Sequence, residues 1–163
     1  MILQDLLQPN LDIVFCGTAV SKDSEKKGAY YAGAGNMFYP ILHKIGLTPK
    51  QITPQNYTDL VHYNLGLTDL VKHTSGNDDV LNEQDFDVLE FKKKMIAYKP
   101  KMVCFNGKKA AATFFDTKTK YISYGLQPET IGETKLYVAP STSGSARRFW
   151  DERYWRELKS VKE

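Results

Sequence analysis

With 163 residues, 42% of them hydrophobic and 25% charged, the chain has the size of one domain and enough apolar side chains to close a core without disulfides or metal, which excludes disordered, collagen-like and disulfide-scaffold chains. There is no long apolar run, and the opening stretch MILQDLLQPN lacks a basic region and carries Asp5, so no spanning helix or signal peptide is predicted; the expectation is one cytoplasmic domain over 1–163. The balance of 22 basic to 19 acidic residues, a net charge of +3, permits a nucleic-acid partner without demanding one.

Leu11 to Cys16 is a short β-branched and aromatic run that stops at Gly17, the pattern of a buried parallel strand. The stretch from there to Gly35 carries four glycines and reads as a long loop, and long loops inside compact domains are usually functional. After Asn36, the residues Phe38, Ile41, Leu42 and Ile45 recur at helical spacing until Gly46. A second helix is predicted from Thr53-Pro54 to Asn64, with Tyr57, Leu60 and Val61 turned inward. The apolar segment Leu65 to Val71 leads into the polar run Lys72 to Asp79, read as a surface loop; Asp69, at the end of that apolar segment, reads as structural. Val88, Phe91 and Met95 form the stripe of an amphipathic helix from Asp85 to Tyr98, halted before Pro100. The run Lys92, Lys93 and Lys94 reads as its solvated face. Lys101 to Phe105 is a second buried strand, Lys108 to Phe115 an alanine-rich helix, and Leu136 to Ala139 a third strand. A last helix is predicted from about Ala146 to Val161, carrying Phe149, Trp150, Tyr154, Trp155 and Leu158.

Strands alternating with helical patterns point to an α/β fold of parallel βαβ units with helices on both faces of a sheet. Such sheets hold their sites outside the carboxyl ends of the strands, which here singles out the loops Gly17 to Gly35, Asn106-Gly107 and Pro140 to Ser145. No GxGxxG, P-loop or GxSxG element follows a strand, and His43, His62 and His73 lack metal-ligand spacing, so neither a cofactor nor a metal is expected. Cys16 and Cys104 sit in apolar runs and read as reduced core residues. What remains is a carboxylate-rich loop, the aromatic glycine-rich loop Tyr30-Tyr31-Ala32-Gly33, and a Ser/Gly loop leading to Arg147 and Arg148. An enzyme acting on a nucleobase must extract it from the stack, fill the gap, grip the flanking phosphates and stack the extruded base on a ring, and these loops carry residue types for each task. Each stretch also has a plainer reading: Tyr-Tyr as packing, Ser-Thr-Ser-Gly as a turn, Asn77-Asp78-Asp79 as a turn or helix cap.

Four elements in order, Phe15-Cys16-Gly17-Thr18-Ala19, Tyr31-Ala32-Gly33-Ala34-Gly35-Asn36-Met37-Phe38-Tyr39, Gly66-Leu67-Thr68-Asp69-Leu70 and Ala139-Pro140-Ser141-Thr142-Ser143-Gly144, resemble the mismatch-specific branch of the uracil-DNA glycosylase superfamily over nearly the whole chain. The resemblance implies a three-layer α/β/α sandwich around a short, mainly parallel sheet. It further implies a monofunctional DNA glycosylase that flips uracil, or a related damaged base, out of mismatched duplex DNA and hydrolyses the N-glycosidic bond, acting as a monomer.

The sequence departs from the family at the first motif, where Ala19 stands in place of an asparagine that places the attacking water; at the third, Ser141 replaces an asparagine and Ser145 a wedging leucine. Either the activity is lost or another polar group does the work, and a carboxylate can do it, because the sugar passes through an oxocarbenium-like state that a carboxylate stabilises while taking a proton from water. Asp78 and Asp79 are the candidates, Asp78 ahead of Asp79. The backbone N–H groups of Gly17, Thr18 and Ala19 would hold the departing base, with Tyr31 stacking on it and Asn36 meeting its edge or fixing the loop. Ser141, Ser143, Gly144, Arg147 and Arg148 would contact the DNA strand. A damaged-DNA binding module that kept the fold and lost catalysis is the rival reading motivated by Ala19, and a nucleotide-binding α/β protein a weaker one.

Overall fold

The computed structural model of the chain describes residues 2–73, 75, 76 and 87–162. Five strands, β1 (Ile13–Gly17), β2 (Leu65–Asp69), β3 (Met102–Asn106), β4 (Gly125–Ile131) and β5 (Thr134–Ala139), form one sheet in the order β2-β1-β3-β5-β4. All neighbouring strands run parallel except β4, which pairs antiparallel with β5 through a hairpin turned at Gly132. Helices α1 (Lys22–Lys27), α2 (Phe38–Lys44), α3 (Val88–Tyr98), α4 (Lys108–Phe114) and α5 (Glu152–Lys162) are joined by 3₁₀ segments at Pro54–Tyr63, Thr119–Tyr121 and Gly144–Phe149. Among the described residues no helix is long and apolar enough to cross a membrane.

Side chains of a strand alternate between the two faces of its sheet, so a strand buried on both sides must be apolar at every position. In β1, Ile13 and Phe15 point to one face and Val14 and Cys16 to the other, all fully buried. The first face receives α2 and α5 through Phe38, Leu42, Trp155 and Leu158; the second receives α3 and α4 through Phe91, Met95 and Ala110 to Ala112. The result is the three-layer α/β/α sandwich expected from the sequence. Cys16 and Cys104 are free and buried within it.

Four local expectations need correction. The stretch from Gly17 to Gly35 is not structureless: it contains α1, where Ser21 Oγ accepts a hydrogen bond from Ser24 N at 3.1 Å and left-handed Gly28 closes the C-terminus. That helix has six residues and buries only Ser24, so it leaves no apolar periodicity in the sequence. The helix expected after Thr53 is 3₁₀ and kinked at Asn56. The final helix is broken, because Trp150 is extended between the 3₁₀ segment and α5, and Phe149 lies in the 3₁₀ segment, 56% exposed. Strand β4 went unread, since it is an edge strand whose middle residues Gln127, Pro128 and Glu129 are not buried.

A fifth correction concerns the site. The polar run after β2 is not wholly a surface loop, for the side chain of Lys72 is 9% exposed and Ser75 is buried. The N-terminal segment holds that region down. Leu6 forms an antiparallel bridge with Leu67, Ile2 N donates to the Lys72 carbonyl at 2.8 Å, and Gly66 allows the approach: a Cβ there would stand 2.6 Å from the Leu6 carbonyl oxygen.

Candidate active site

A cleft of about 790 Å³, within the size range of small-ligand pockets, opens where the carboxyl ends of β1, β2 and β3 meet the loop after β5. Its walls are assembled from three loops fastened to one another. Asn106, the last residue of β3, donates from Nδ2 to Thr142 Oγ1 at 3.0 Å and accepts from Thr142 N at 3.0 Å. Thr142 O in turn accepts from Met37 N at 2.9 Å, and Trp155 Nε1 donates to Pro140 O at 2.9 Å. Gly107 permits the β3 loop to turn, with φ +110 and a Cβ position only 3.2 Å from Ser141 Cβ.

Among the described residues the floor carries one carboxylate. Asp69, at the end of β2, has its side chain 3% exposed, and burial pushes its carboxyl up to about 6 although Lys72 pulls the other way. Its Oδ2 receives Lys72 Nζ at 3.3 Å, while Oδ1 faces the end of β1: a Cβ placed on Gly17 would stand 3.3 Å from Oδ1 and 3.5 Å from the Tyr31 hydroxyl. Burial likewise raises the Tyr31 hydroxyl, which makes no hydrogen bond and lies beside an Asn106 side chain already committed to Thr142. Tyr31 is also left-handed, at φ +54, and one face of its ring is covered by Phe38, with centroids 4.1 Å apart. A strained residue holding an unsatisfied buried hydroxyl next to a buried carboxylate is an arrangement that packing alone does not favour. Gly17 leaves open the space between these two groups.

Of the residues singled out in the sequence, Gly17, Thr18, Ala19, Tyr31, Asn36, Ser141, Ser143 and Arg148 all line this cleft. Several also have local work. Asn36 Oδ1 accepts from Phe38 N at 2.9 Å at the start of α2, Ser141 Oγ accepts from Ser143 N at 3.2 Å, and Ser143 Oγ caps the following 3₁₀ segment through Ser145 N. Gly144 and Arg147 stand beside the cleft: a Cβ at Gly144 would lie 3.5 Å from the Ala34 carbonyl oxygen, and Arg147 reaches the Gly35 carbonyl at 3.5 Å. Asp78 and Asp79 lie outside the described residues.

Sequence reasoning passed over Asp69, Asn106, Thr142 and Phe149 as functional side chains. Asp69 could have been found, because the rule that places sites at strand ends applies to β2 as much as to β1. The rim is basic and aromatic: Lys108 lies 4.4 Å from the Tyr124 ring centroid and Arg148 4.7 Å from that of Phe149, with Lys109 and Lys120 nearby. Among the described residues no group of three or more His, Cys, Asp or Glu side chains could hold a metal ion.

A buried carboxylate beneath a basic and aromatic rim thus lies at the strand ends of a mainly parallel α/β/α sheet. The chain belongs to the uracil DNA glycosylase superfamily, whose family model matches residues 4–160. Members of this superfamily are DNA glycosylases, hydrolases that act on DNA in base excision repair. The fold is similar to that of the solution NMR structure of a Methanosarcina acetivorans protein provisionally assigned as a uracil DNA glycosylase, with a TM-score of 0.62, 22% identity, and 96% of each chain covered.

Proposed function

We propose that the protein is a monofunctional glycosylase that excises uracil, or a related damaged base, from mismatched duplex DNA, with Asp69 as the group that activates water. The observation that carries this reading is the pairing of the Asp69 carboxylate with the unpartnered Tyr31 hydroxyl across the open Cα of Gly17. A water seated between them has an acceptor in Asp69 and a donor in Tyr31, which supplies what Ala19 cannot. As the C1′–N1 bond of the flipped nucleotide breaks, the carboxylate faces the developing positive charge on the sugar. The water oxygen then bonds to C1′, its proton passes to Asp69, and the base leaves as an anion that takes up a proton on release. The turn Gly17 to Ala19 presents its backbone N–H groups to that anion, with such donors worth about 3–4 kcal/mol each, and the Tyr31 ring, which lines the cleft, stacks on the base. Asn36 meets the base edge. Ser141, Ser143, Gly144, Arg147 and Arg148 engage the strand around the flipped site, and Arg148 with Phe149 gives the rim a cation and an exposed ring.

A carboxyl titrating near 6 suits a general base at neutral pH, where it is ionised yet basic enough to accept a proton. Activity is accordingly expected to fall as pH drops through 6.

The test is base release from a panel of duplexes carrying uracil opposite guanine, thymine opposite guanine, hypoxanthine and an alkylated base. The expected result is release of uracil from the U:G duplex, leaving an abasic site with no strand cleavage and no borohydride-trapped adduct. Asp69→Asn should reduce the single-turnover rate by roughly a hundredfold or more, the range for loss of a general base. Parallel Asp78→Asn and Asp79→Asn variants carry the other carboxylate assignment: loss of activity there with Asp69→Asn active would move the base to that loop. Binding of lesion duplexes without release of any base would leave the binding-module reading, which Ala19 favours.

A further inference from the structure

Behind the cleft lies a closed group of charged side chains that a stable core does not need. Lys72 Nζ is held by three oxygens: Asp5 Oδ1 at 2.8 Å, the Tyr30 hydroxyl at 3.1 Å and Asp69 Oδ2 at 3.3 Å. Lys94 holds the other oxygen of Asp5, Oδ2, at 2.7 Å, Thr68 Oγ1 donates to Oδ1 at 2.8 Å, and the Tyr30 hydroxyl faces the Gln4 carbonyl at 3.1 Å as well as the Asp69 carboxylate. All three protons of the ammonium are therefore used, and the lysine cannot swing out without leaving the buried Asp69 carboxylate without its cation, whereas Asp5 keeps Lys94. Replacing such a buried ionic group by apolar residues is often neutral or stabilising for a fold, so its presence directly beneath the reacting floor calls for a chemical reason.

We propose that Lys72, clasped by Asp5 and Tyr30, is the positioning residue of the site: it keeps the Asp69 carboxylate charged and turns its second oxygen toward the water seat at Gly17. The inference rests on the reading of Asp69 as the base. With Oδ2 anchored to the ammonium, Oδ1 is left toward Gly17 and the Tyr31 hydroxyl. Burial alone would hold Asp69 protonated and so useless as a base at neutral pH; the ammonium 3.3 Å away opposes that. Asp5 acts in two directions, keeping Lys72 charged while repelling the charge on Asp69.

Among the described residues, the groups that face Asp69 are Lys72 from its own loop, Asp5 from the N-terminal segment, Tyr30 from the loop after α1, Tyr31 and the Cys16 thiol of β1. Burial raises the two tyrosines and the thiol, which leaves them uncharged at working pH. Among the described residues Lys72 and Asp5 are therefore the two charges that set Asp69, and they are of opposite sign.

The experiment follows from that opposition. Asp69 is titrated by carboxyl-¹³C NMR in wild type, Lys72→Met and Asp5→Asn, and the pH dependence of single-turnover uracil release is measured beside it. Lys72→Met should move the Asp69 midpoint, and with it the acid limb of the rate, up by about one pH unit or more, a loss of roughly tenfold in rate on that limb. Asp5→Asn should move both down. A general loss of packing would not move the two variants in opposite directions. An Asp69 midpoint unchanged in folded Lys72→Met overturns the role of Lys72 while leaving the glycosylase reading in place. Midpoints that move while the rate profile stays fixed overturn the proposal through Asp69, which would then not be the base. Should Lys72→Met fail to fold, the downward move in Asp5→Asn, where the lysine remains, decides the question: its absence refutes the coupling.

Discussion

Replacing Asp69 by asparagine is expected to damage the reaction and strengthen the fold at the same time. The carboxyl is displaced from 3.8 to about 6, chiefly by burial. At 1.36 kcal/mol for each pH unit, holding it ionised in the folded protein costs about 3 kcal/mol relative to the unfolded chain. Because the folded value is the higher one, the stabilising contribution of the protonated carboxyl is complete below pH 4 and is lost as pH rises through 6. Asparagine mimics the protonated state at every pH. Its oxygen can still receive Lys72, which also keeps Asp5 and Tyr30. Asp69→Asn should thus match wild type near pH 4 and exceed it by about 2–3 kcal/mol at pH 7.5, raising the melting temperature by roughly 4–10 °C for a chain of this size. Urea denaturation at both pH values, with single-turnover uracil release at the higher one, reads both effects. An asparagine variant less stable than wild type at pH 7.5, or one that keeps its rate within tenfold, would refute the account of Asp69 as a base maintained at the expense of stability.

Other expectations follow from the same cleft. Tyr31→Phe removes a buried hydroxyl that has no partner, so thermal stability should hold or rise by about 1 kcal/mol while single-turnover base release slows. Gly17→Ala places a methyl 3.3 Å from Asp69 Oδ1, and filling the water seat should lower the rate constant with little change in duplex affinity measured by anisotropy. Arg148→Ala should weaken duplex binding and make the dependence of log affinity on log salt shallower by about one; wild-type binding would show that the rim is not the DNA face. Trp155→Ala, at a fully buried side chain stacked on Phe15 and bonded to Pro140, should cost about 3–5 kcal/mol in denaturant unfolding.

The sequence made the parallel sheet legible because β1, β3 and β5 carry short runs of successive apolar residues stopped by glycine, a polar residue or proline, the pattern of a doubly covered strand. It concealed β4, whose exposed residues resemble a loop, and α1, whose end groups rather than an apolar face define it. At the site, the backbone turns were readable from glycines and the serine loop. The polar interior was not. Lys72 looks like the start of a solvated loop until the fold brings Asp5 from the far end of the chain against it, and Asp69 looks structural until Gly17 and Tyr31 are seen to face it. Buried charge is created by tertiary contact, so neither periodicity nor composition announces it.

The antiparallel bridge between Leu6 and Leu67 has a consequence for the timing of events in the cleft. Isolated single bridges are among the parts of a protein that open locally at less than the free energy of global unfolding. Here one such opening would peel Asp5 away from Lys72 and Thr68, and the Gln4 carbonyl from Tyr30, while the sheet beneath stays closed. The ionisation of the cleft floor is thereby linked to a fraying equilibrium some sixty residues distant in the chain. Amide exchange at Leu6 and Leu67, which donate to each other's carbonyls at 2.9 Å, would report how often that unlatching occurs.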